Sequence, residues 1–304
     1  MLDWDGGEVA LAAAASVVET APEALLVFVD NASAAPVADE VERRWPAARV
    51  LRSERNLGYA GGNNLGIRAA MEAGRDRILV LNNDARLRPG ALAAMCAVAE
   101  EDTAIAIVGA RILDAADPRR LSMGWGEIDW RQSLVRLPGA GALCPDTPAA
   151  DRDAAWVSGA AILLCTERLG AHAVGLFDEE FFAYHEEVDL CARARASGLR
   201  VRWCGTAAVE HAGAASSGGG YVSRKQYFVG RNMVLFVRHH GSFAQRVKFF
   251  CFFFGSLPLQ WLRRAFSGEA EGVRLKWAGA LDALRARPLP RAALGLDRRS
   301  GGRE

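Results

Sequence analysis

Two short apolar runs that each break off at an aspartate constrain the fold most. Leu25-Leu26-Val27-Phe28-Val29 leads into Asp30-Asn31-Ala32-Ser33, and Ile78-Leu79-Val80-Leu81 leads into Asn82-Asn83-Asp84. Apolar runs this short, bounded by polar turn residues, read as buried strands. Helical spacing follows from about Pro36 to Trp45, from Gly61 to Ala73 (closed by Gly74), and after Pro89. Further strands are expected over Arg49 to Arg52 and Ile105 to Gly109. Strands alternating with helices imply an α/β fold with a mostly parallel sheet flanked by helices, whose ligands gather at the carboxyl ends of the strands. Asp30 and Asp84 both stand at such ends.

From Arg111 to Asp153 the pattern is irregular, as in arms over a substrate or plain surface loops. Order returns from Trp156 to Leu164, in a helix over about Glu187 to Ser197, and in strands near Arg200 to Trp203 and Ala207 to His211. The Gly-Ser run from Gly213 to Gly220 reads as a lid or a linker. The 304 residues divide into a main domain over 1–240, with halves 1–110 and 111–240, and a C-terminal helical extension over 241–304. Hydrophobic residues at 51% supply a core, and a formal charge of +1 argues against a nucleic-acid partner. Six cysteines without CxxC pairs suit free thiols in a reducing, cytoplasmic compartment. No basic segment followed by an apolar one opens the chain, so no secretory leader is expected.

Three clusters can carry chemistry. Asp30, Asn31 and Ser33 can meet a nucleoside, although Asp-Asn after a strand is commonly a turn. Arg55-Asn56-Leu57-Gly58-Tyr59-Ala60-Gly61-Gly62-Asn63-Asn64-Leu65-Gly66 joins glycines, which let backbone approach a ligand, to asparagines that donate and accept. It is neither a Walker loop nor a GxGxxG turn, and a glycine-rich helix start is the plainer reading. Asn82, Asn83 and Asp84 offer oxygen ligands of the kind Mg²⁺ and Mn²⁺ favour, with a helix-capping aspartate as the alternative. In His185-Glu186-Glu187-Val188-Asp189 three carboxylates crowd together after Phe177 and Phe181-Phe182, which raises one another's pKa toward the range of proton transfer. The same acids would also suit a helix N-terminus through its dipole alone. His211, at a strand end, can complete a metal shell or touch a diphosphate.

Taken in order, these segments resemble the inverting family 2 glycosyltransferases of GT-A fold, in particular the bacterial rhamnosyltransferase-like branch. The similarity runs through Val29 to Ser33, Asn56 to Gly66, Leu81 to Asp84, Ser158-Gly159-Ala160, Gly175 to Phe182, His185 to Cys191, His211 and Gly230-Arg231-Asn232, over roughly residues 1–240. The resemblance implies a nucleotide-diphosphate sugar donor, rhamnose among the candidates, and a glycan or lipid-linked acceptor in cell-surface polysaccharide synthesis. It implies a divalent metal (Mg²⁺ or Mn²⁺) at Asp84 with His211 nearby, and donor contacts from Asp30, Asn31, Ser33, Asn56, Gly58, Gly61, Asn63, Asn82 and Asn83. The general base falls among Glu186, Glu187 and Asp189, with Glu187 at the family's usual position. Trp156 and Gly159 are expected on the acceptor side.

One departure stands out. Leu2-Asp3-Trp4-Asp5-Gly6 looks like the turn that follows the family's first strand, yet only Met1 precedes it. The first, central strand is therefore expected to be missing, with a start further upstream or a truncated chain as the cause. A non-catalytic sugar-nucleotide-binding or scaffold relative is the alternative this raises. The tail poses a separate question. Residues 246–266 combine a Phe-rich run with flanking Lys and Arg and contain Pro258, which is too short and too interrupted to span a bilayer. A helix in the inner-membrane interface, making the protein peripheral, or one packed on the domain or on a second subunit, would read alike.

Overall fold

The computed structural model describes residues 1–131, 133–144, 149–213, 224–266 and 269–297. The first half contains β1 (Leu2–Asp3), α1 (Glu8–Thr20), β2 (Val27–Asp30), α2 (Ala38–Arg44), β3 (Arg49–Arg52), α3 (Gly58–Glu72), β4 (Arg77–Leu81), β5 (Ala85–Leu87), α4 (Ala91–Glu100) and β6 (Ile105–Asp114). An arm of short strands follows: β7 (Leu121–Met123), β8 (Trp125–Asp129), β9 (Leu134–Arg136), β10 (Arg152–Asp153) and β11 (Trp156–Val157). The chain then enters β12 (Ala161–Cys165), α5 (Thr166–Ala171), a 3-10 turn over Glu179–Phe181, α6 (Glu186–Ala196) and β13 (Arg200–His211). It closes with α7 (Lys225–His240), α8 (Phe243–Ala265) and α9 (Ala270–Leu284).

The expected gap at the centre of the sheet is occupied in part. Leu2 and Asp3 pair in parallel with Val29 and Asp30, and Leu2 bridges in parallel to Asn82 beyond β4. The Met1 amine donates to the Val27 carbonyl at 2.7 Å, and Asn31 N–H donates to the Asp3 carbonyl. Two residues therefore pair with the end of β2 and touch the β4 side through the single Leu2–Asn82 bridge. Where a full first strand was expected to be missing, a two-residue β1 stands at the ligand end of the slot.

The sheet runs β3-β2-β1-β4-β12-β6-β13, with β1, β2 and β3 parallel and β13 parallel to β6. β12 departs from the parallel pattern, lying antiparallel to both β4 and β6. The chain reaches it through the strand arm rather than a crossover helix, and a parallel neighbour would need such a crossover. The core sits on both faces. Val80, Ile107, Ile162 and Leu164 pack toward α3, α6 and α7, while Val108, Leu163 and Val209 pack toward α4. β13 combines the two strands foreseen near its ends, its register slipping between Cys204 and Ala208.

Helix α1 was not foreseen, although its Ala-rich sequence is a strong helix former. All six cysteines are free. Of the Gly-Ser run read as a lid or linker, all but Gly213 lies outside the described residues.

Candidate active site

β4 ends at Leu81, and the turn after it carries Asn82, Asn83 and Asp84 into contact with the end of β13. Asp84 Oδ1 lies 3.0 Å from His211 Nε2, and Asn82 Nδ2 lies 3.3 Å from the same nitrogen. The backbone explains the meeting. Ala85 is paired with His211 across β5 and β13, and Ala212 N–H donates to the Asp84 carbonyl. Asp84 and His211 are both buried. Asn82 Oδ1 and His211 Nδ1 have no hydrogen-bond partner, and Asp84 Oδ1 has none beyond its approach to His211 Nε2. Buried acceptors left without donors are costly unless something occupies them, and carboxylate, amide oxygen and imidazole are a donor set suited to a divalent cation. The residues present fit such an ion.

The opposite wall is built by the turn before α6. Phe182, Tyr184 and His185 all have positive φ (61°, 71° and 71°), a conformation that costs energy for residues with side chains. α7 holds this turn. The fully buried Asn232 donates through Nδ2 to the carbonyls of Phe181 (2.8 Å), Ala183 (2.7 Å) and Tyr184 (2.7 Å), and Arg231 donates to the Glu180 carbonyl at 2.7 Å. From the far side, Ala60 N–H donates to the Phe182 carbonyl. Gly58, at φ +75°, passes so close that a Cβ there would stand 2.5 Å from that carbonyl oxygen. Asn232→Ala is therefore expected to cost about 3 kcal/mol of stability and to lower turnover more than donor affinity. Denaturant melts paired with turnover and binding measurements check this; an unchanged turnover in a stable variant contradicts it.

That turn delivers Glu186 and Glu187 as the first residues of α6. Oε2 of each has no hydrogen-bond partner. Burial raises the Glu187 carboxyl to about 7. Glu186 is 4% exposed and is pushed well above the usual carboxylate range, by burial first and then by the charge of Glu187. Of the pair, Glu187 is the more exposed and ionises first. The Asp189 carboxylate is engaged elsewhere: one oxygen accepts from Arg193 Nε at 2.7 Å and the other lies 2.7 Å from His240 Nε2. Although burial works against it, His240 and Arg193 hold the Asp189 carboxyl below its ordinary value. Asp189 thus ties α6 to α7, and the structure does not favour it as a base.

Tyr59 joins the two walls. Its hydroxyl donates to the Gly159 carbonyl at 2.6 Å, and its ionisation is opposed by burial and then by the charges of Glu186, Glu187 and Asp84. A Cβ on Gly159 would lie 3.6 Å from the Glu187 Cβ, and Ala160, next in the chain, accepts from Asn82 N–H. Asp84 and Glu187 thus both act on Tyr59, Gly159 lies between Tyr59 and Glu187, and His211 stands beside Asp84.

Other anticipated residues play different parts. Asn31 donates to Asn56 Oδ1 and the Gly58 carbonyl and accepts from Leu57 N–H, so Asn31 and Asn56 brace the turn into α3. Gly61 and Asn63 lie inside α3. Asn63 donates to the Tyr59 carbonyl, and a Cβ on Gly62 would stand 2.4 Å from Leu2 Cδ1. Gly62 thus brings the helix against the sheet, while a Cβ on Gly61 would meet Leu57 at 3.1 Å and the Glu179 carboxylate at 3.5 Å. Asp30 accepts from Ser33 N–H, and Ser33 Oγ accepts from Asp5 N–H. Asn83 donates to Asp3 Oδ1 at 2.7 Å. Trp156 is buried, with its indole N–H donating to the Glu127 carbonyl and its ring against Gly126, so it serves the core rather than an acceptor.

Sequence reasoning passed over three residues. Asp3 is fully buried with an unpartnered Oδ2, and burial raises its carboxyl. The Asp3-Trp4-Asp5 turn was visible as a motif, but its reach to Asn83 was not. Tyr59 lay inside the glycine-rich motif without a role, and Asn232 inside Gly230-Arg231-Asn232. A further possible metal-holding group, Asp189, His239 and His240, brings its ligand atoms within 4.8 Å of one another. Arg193 already bonds its carboxylate there.

The family model for glycosyltransferase like family 2 matches residues 9–227. Among curated proteins, the chain is 29% identical over 185 residues to the low-salt glycan biosynthesis hexosyltransferase Agl10 of Haloferax volcanii, covering 59% of this chain and 55% of that one. It is 28% identical over 218 residues to the N-acetylglucosaminyl-diphospho-decaprenol L-rhamnosyltransferase of Mycobacterium tuberculosis, covering 64% and 68%. The galactofuranosyltransferase GlfT1 of the same organism is 29% identical over 191 residues, with 61% and 60% covered. The chain thus spans between 55% and 68% of the length of these relatives. Among solved structures, GalNAc-T7 with UDP, GalNAc and Mn²⁺ superposes with a TM-score of 0.55 at 16% identity, over 79% of this chain and 53% of that one. The 1–349 fragment of S. aureus TarS with UDP-GlcNAc gives 0.53 at 14% identity, over 79% and 66%. The chain belongs to the family 2-like glycosyltransferases and has their GT-A fold.

Proposed function

We propose that the protein transfers a sugar, with inversion, from a nucleotide-diphosphate donor to a hydroxyl of a glycan or lipid-linked acceptor in cell-surface polysaccharide synthesis. The observation that carries this reading is a shared neighbour: Asp84, with His211 beside it, and the half-neutral Glu187 both oppose the ionisation of the buried Tyr59. Asp84 and His211, with Asn82, would hold Mg²⁺ or Mn²⁺. When bound, such an ion offsets charge on a departing diphosphate. Asp3, Asp30 and Ser33 are the residues we assign to the donor nucleoside.

Glu187 supplies the base. It takes the proton of the acceptor hydroxyl while that oxygen bonds to the anomeric carbon, and the bond to the diphosphate oxygen breaks with its electron pair leaving on the phosphate. A base near pKa 7 is half-ionised at neutrality, where general bases work best. Glu186, costlier to ionise, stays protonated and is not the acceptor of that proton.

Rhamnose and hexoses are the donor sugars we favour, because the relatives named above include a rhamnosyl- and a hexosyltransferase. That rhamnosyltransferase's name describes an acceptor on decaprenol diphosphate, which supports a lipid-linked acceptor here. Work on such an acceptor would place the protein at the cytoplasmic face of a membrane. Among the described residues no helix is long and apolar enough to cross one.

A thermal-shift panel of nucleotide sugars with Mg²⁺ or Mn²⁺, followed by assay of nucleoside diphosphate release, tests the reading. A metal-dependent upward shift with one donor class and release of its diphosphate are expected; no shift across the panel overturns it. The pH profile of turnover over KM should climb through about 7, because Glu187 must lose its proton to act. A profile flat between pH 5.5 and 8, roughly the span a base of this kind would mark, contradicts the assignment.

A further inference from the structure

We propose that the outer face of α8, with the groove beside α9, docks on an anionic lipid bilayer. α8 anchors itself through one side only, where Phe249, Phe253 and Leu257 are fully buried. Phe249 and Phe253 stack on each other, and the Lys276 ammonium of α9 lies over the Phe253 ring at 5.3 Å. The opposite side needs no apolar residues for folding, yet it carries them along its whole length. Phe243, Val247, Phe252, Leu259, Leu262 and Phe266 are between 46% and 87% exposed. At 3.6 residues per turn, Val247, Phe252, Leu259, Leu262 and Phe266 fall within an arc of about 140° opposite Phe249, Phe253 and Leu257, and Phe243 lies outside that arc at the start of the helix. A contiguous apolar face of this extent marks an interaction surface.

Charge identifies the occupant. The 23 residues of α8 hold four cations and no carboxylate, although the whole chain has nearly as many acids as bases; Arg264 is paired with Glu269 beyond the helix, so Arg246, Lys248 and Arg263 carry the charge of this face. Two copies meeting through this face would bring like charges together. Anionic headgroups would pair with them, and aromatic and aliphatic side chains would enter the acyl boundary, as in helices that lie in a membrane interface. A groove of about 550 Å³ opens beside the face, lined mainly by Pro258, Trp261, Val273, Trp277 and Leu281. Its walls are almost wholly apolar, and both tryptophans are exposed (52% and 41%), which suits a single acyl or isoprenoid chain. The reading of a lipid-linked acceptor gives this surface a use but none of its evidence. Loss of vesicle binding would leave that reading standing, and loss of sugar transfer would leave this one.

Flotation of the full chain with vesicles tests the inference. Phosphatidylcholine vesicles containing about one-third phosphatidylglycerol should carry the protein upward at least about tenfold better than phosphatidylcholine alone, and less well as salt rises. Leu259→Glu with Leu262→Glu, both at exposed positions, should lower that binding by at least about tenfold at an unchanged melting temperature. Lys248→Glu with Arg263→Glu should remove the preference for anionic lipid. Equal recovery with both vesicle types, or undiminished binding by the Leu259/Leu262 variant, overturns the proposal. So does a lipid-free dimer in sedimentation velocity that this variant dissolves, because a second copy would then be the occupant.

Discussion

Glu187→Gln is expected to lower turnover by about a thousandfold, the scale of a lost general base, while leaving the affinity for nucleotide sugar within about twofold. The substitution keeps the shape of the side chain and removes only its ability to accept a proton. Its effect on stability should have the opposite sign. The carboxyl is raised from 4.5 to about 7 in the folded protein, so its neutral form is the better fit to the fold. That favourable contribution is complete below about pH 4.5 and is lost as pH climbs through about 7. Glutamine stays neutral throughout, so the variant should be more stable than the parent by about 2 kcal/mol above pH 8, a figure discounted for partial exposure, and equal to it near pH 4. Denaturant melts at the two pH values, with turnover assays beside them, check both halves. Near-parental turnover removes Glu187 from the role, and equal stability at both pH values removes its raised pKa.

Asp84→Ala should abolish the dependence of donor binding on Mn²⁺, weakening binding in its presence by about a hundredfold or more. The fold should survive, because the strand contacts at this point are made by backbone: Ala212 N–H donates to the Asp84 carbonyl, and Ala85 pairs with His211. Removing the buried carboxylate also relieves a desolvation cost, set against the lost approach of His211 Nε2. Calorimetry of nucleoside diphosphate binding with and without Mn²⁺ checks this. An equal Mn²⁺ effect in parent and variant would show that Asp84 holds no metal.

The sequence made the scaffold and the chemistry legible where local pattern and local function coincide. Apolar runs ending in Asp30 and Asp84 are strands because nothing else buries so few apolar residues so fully, and their carboxylates emerge at the sheet's ligand edge. Glu186 and Glu187 were visible as acids at a helix start. What stayed hidden depends on long-range contacts. Leu2-Asp3 is too short to show as a strand, and becomes one only because Val29, Asp30 and Asn82 offer it partners. The antiparallel course of β12 follows from an arm whose pairing has no local signature. The asparagines of the glycine-rich motif look ready for a ligand, but Asn56 is consumed bracing Asn31 of the Asp30 cluster, and Asn64 accepts from Phe177 N–H while donating to the Phe177 carbonyl. Asp189 resembles its neighbours in sequence. Two residues beyond Glu187, it turns to Arg193 and His240 instead.

A crystal grown with Mn²⁺ and a nucleoside diphosphate, with anomalous differences recorded for manganese, tests most directly whether one cleft joins these groups. The account predicts the metal within about 2.5 Å of an Asp84 carboxylate oxygen, with the diphosphate between it and Glu187. Manganese at Asp189, His239 and His240 instead, or a nucleotide bound away from Glu187, would contradict it.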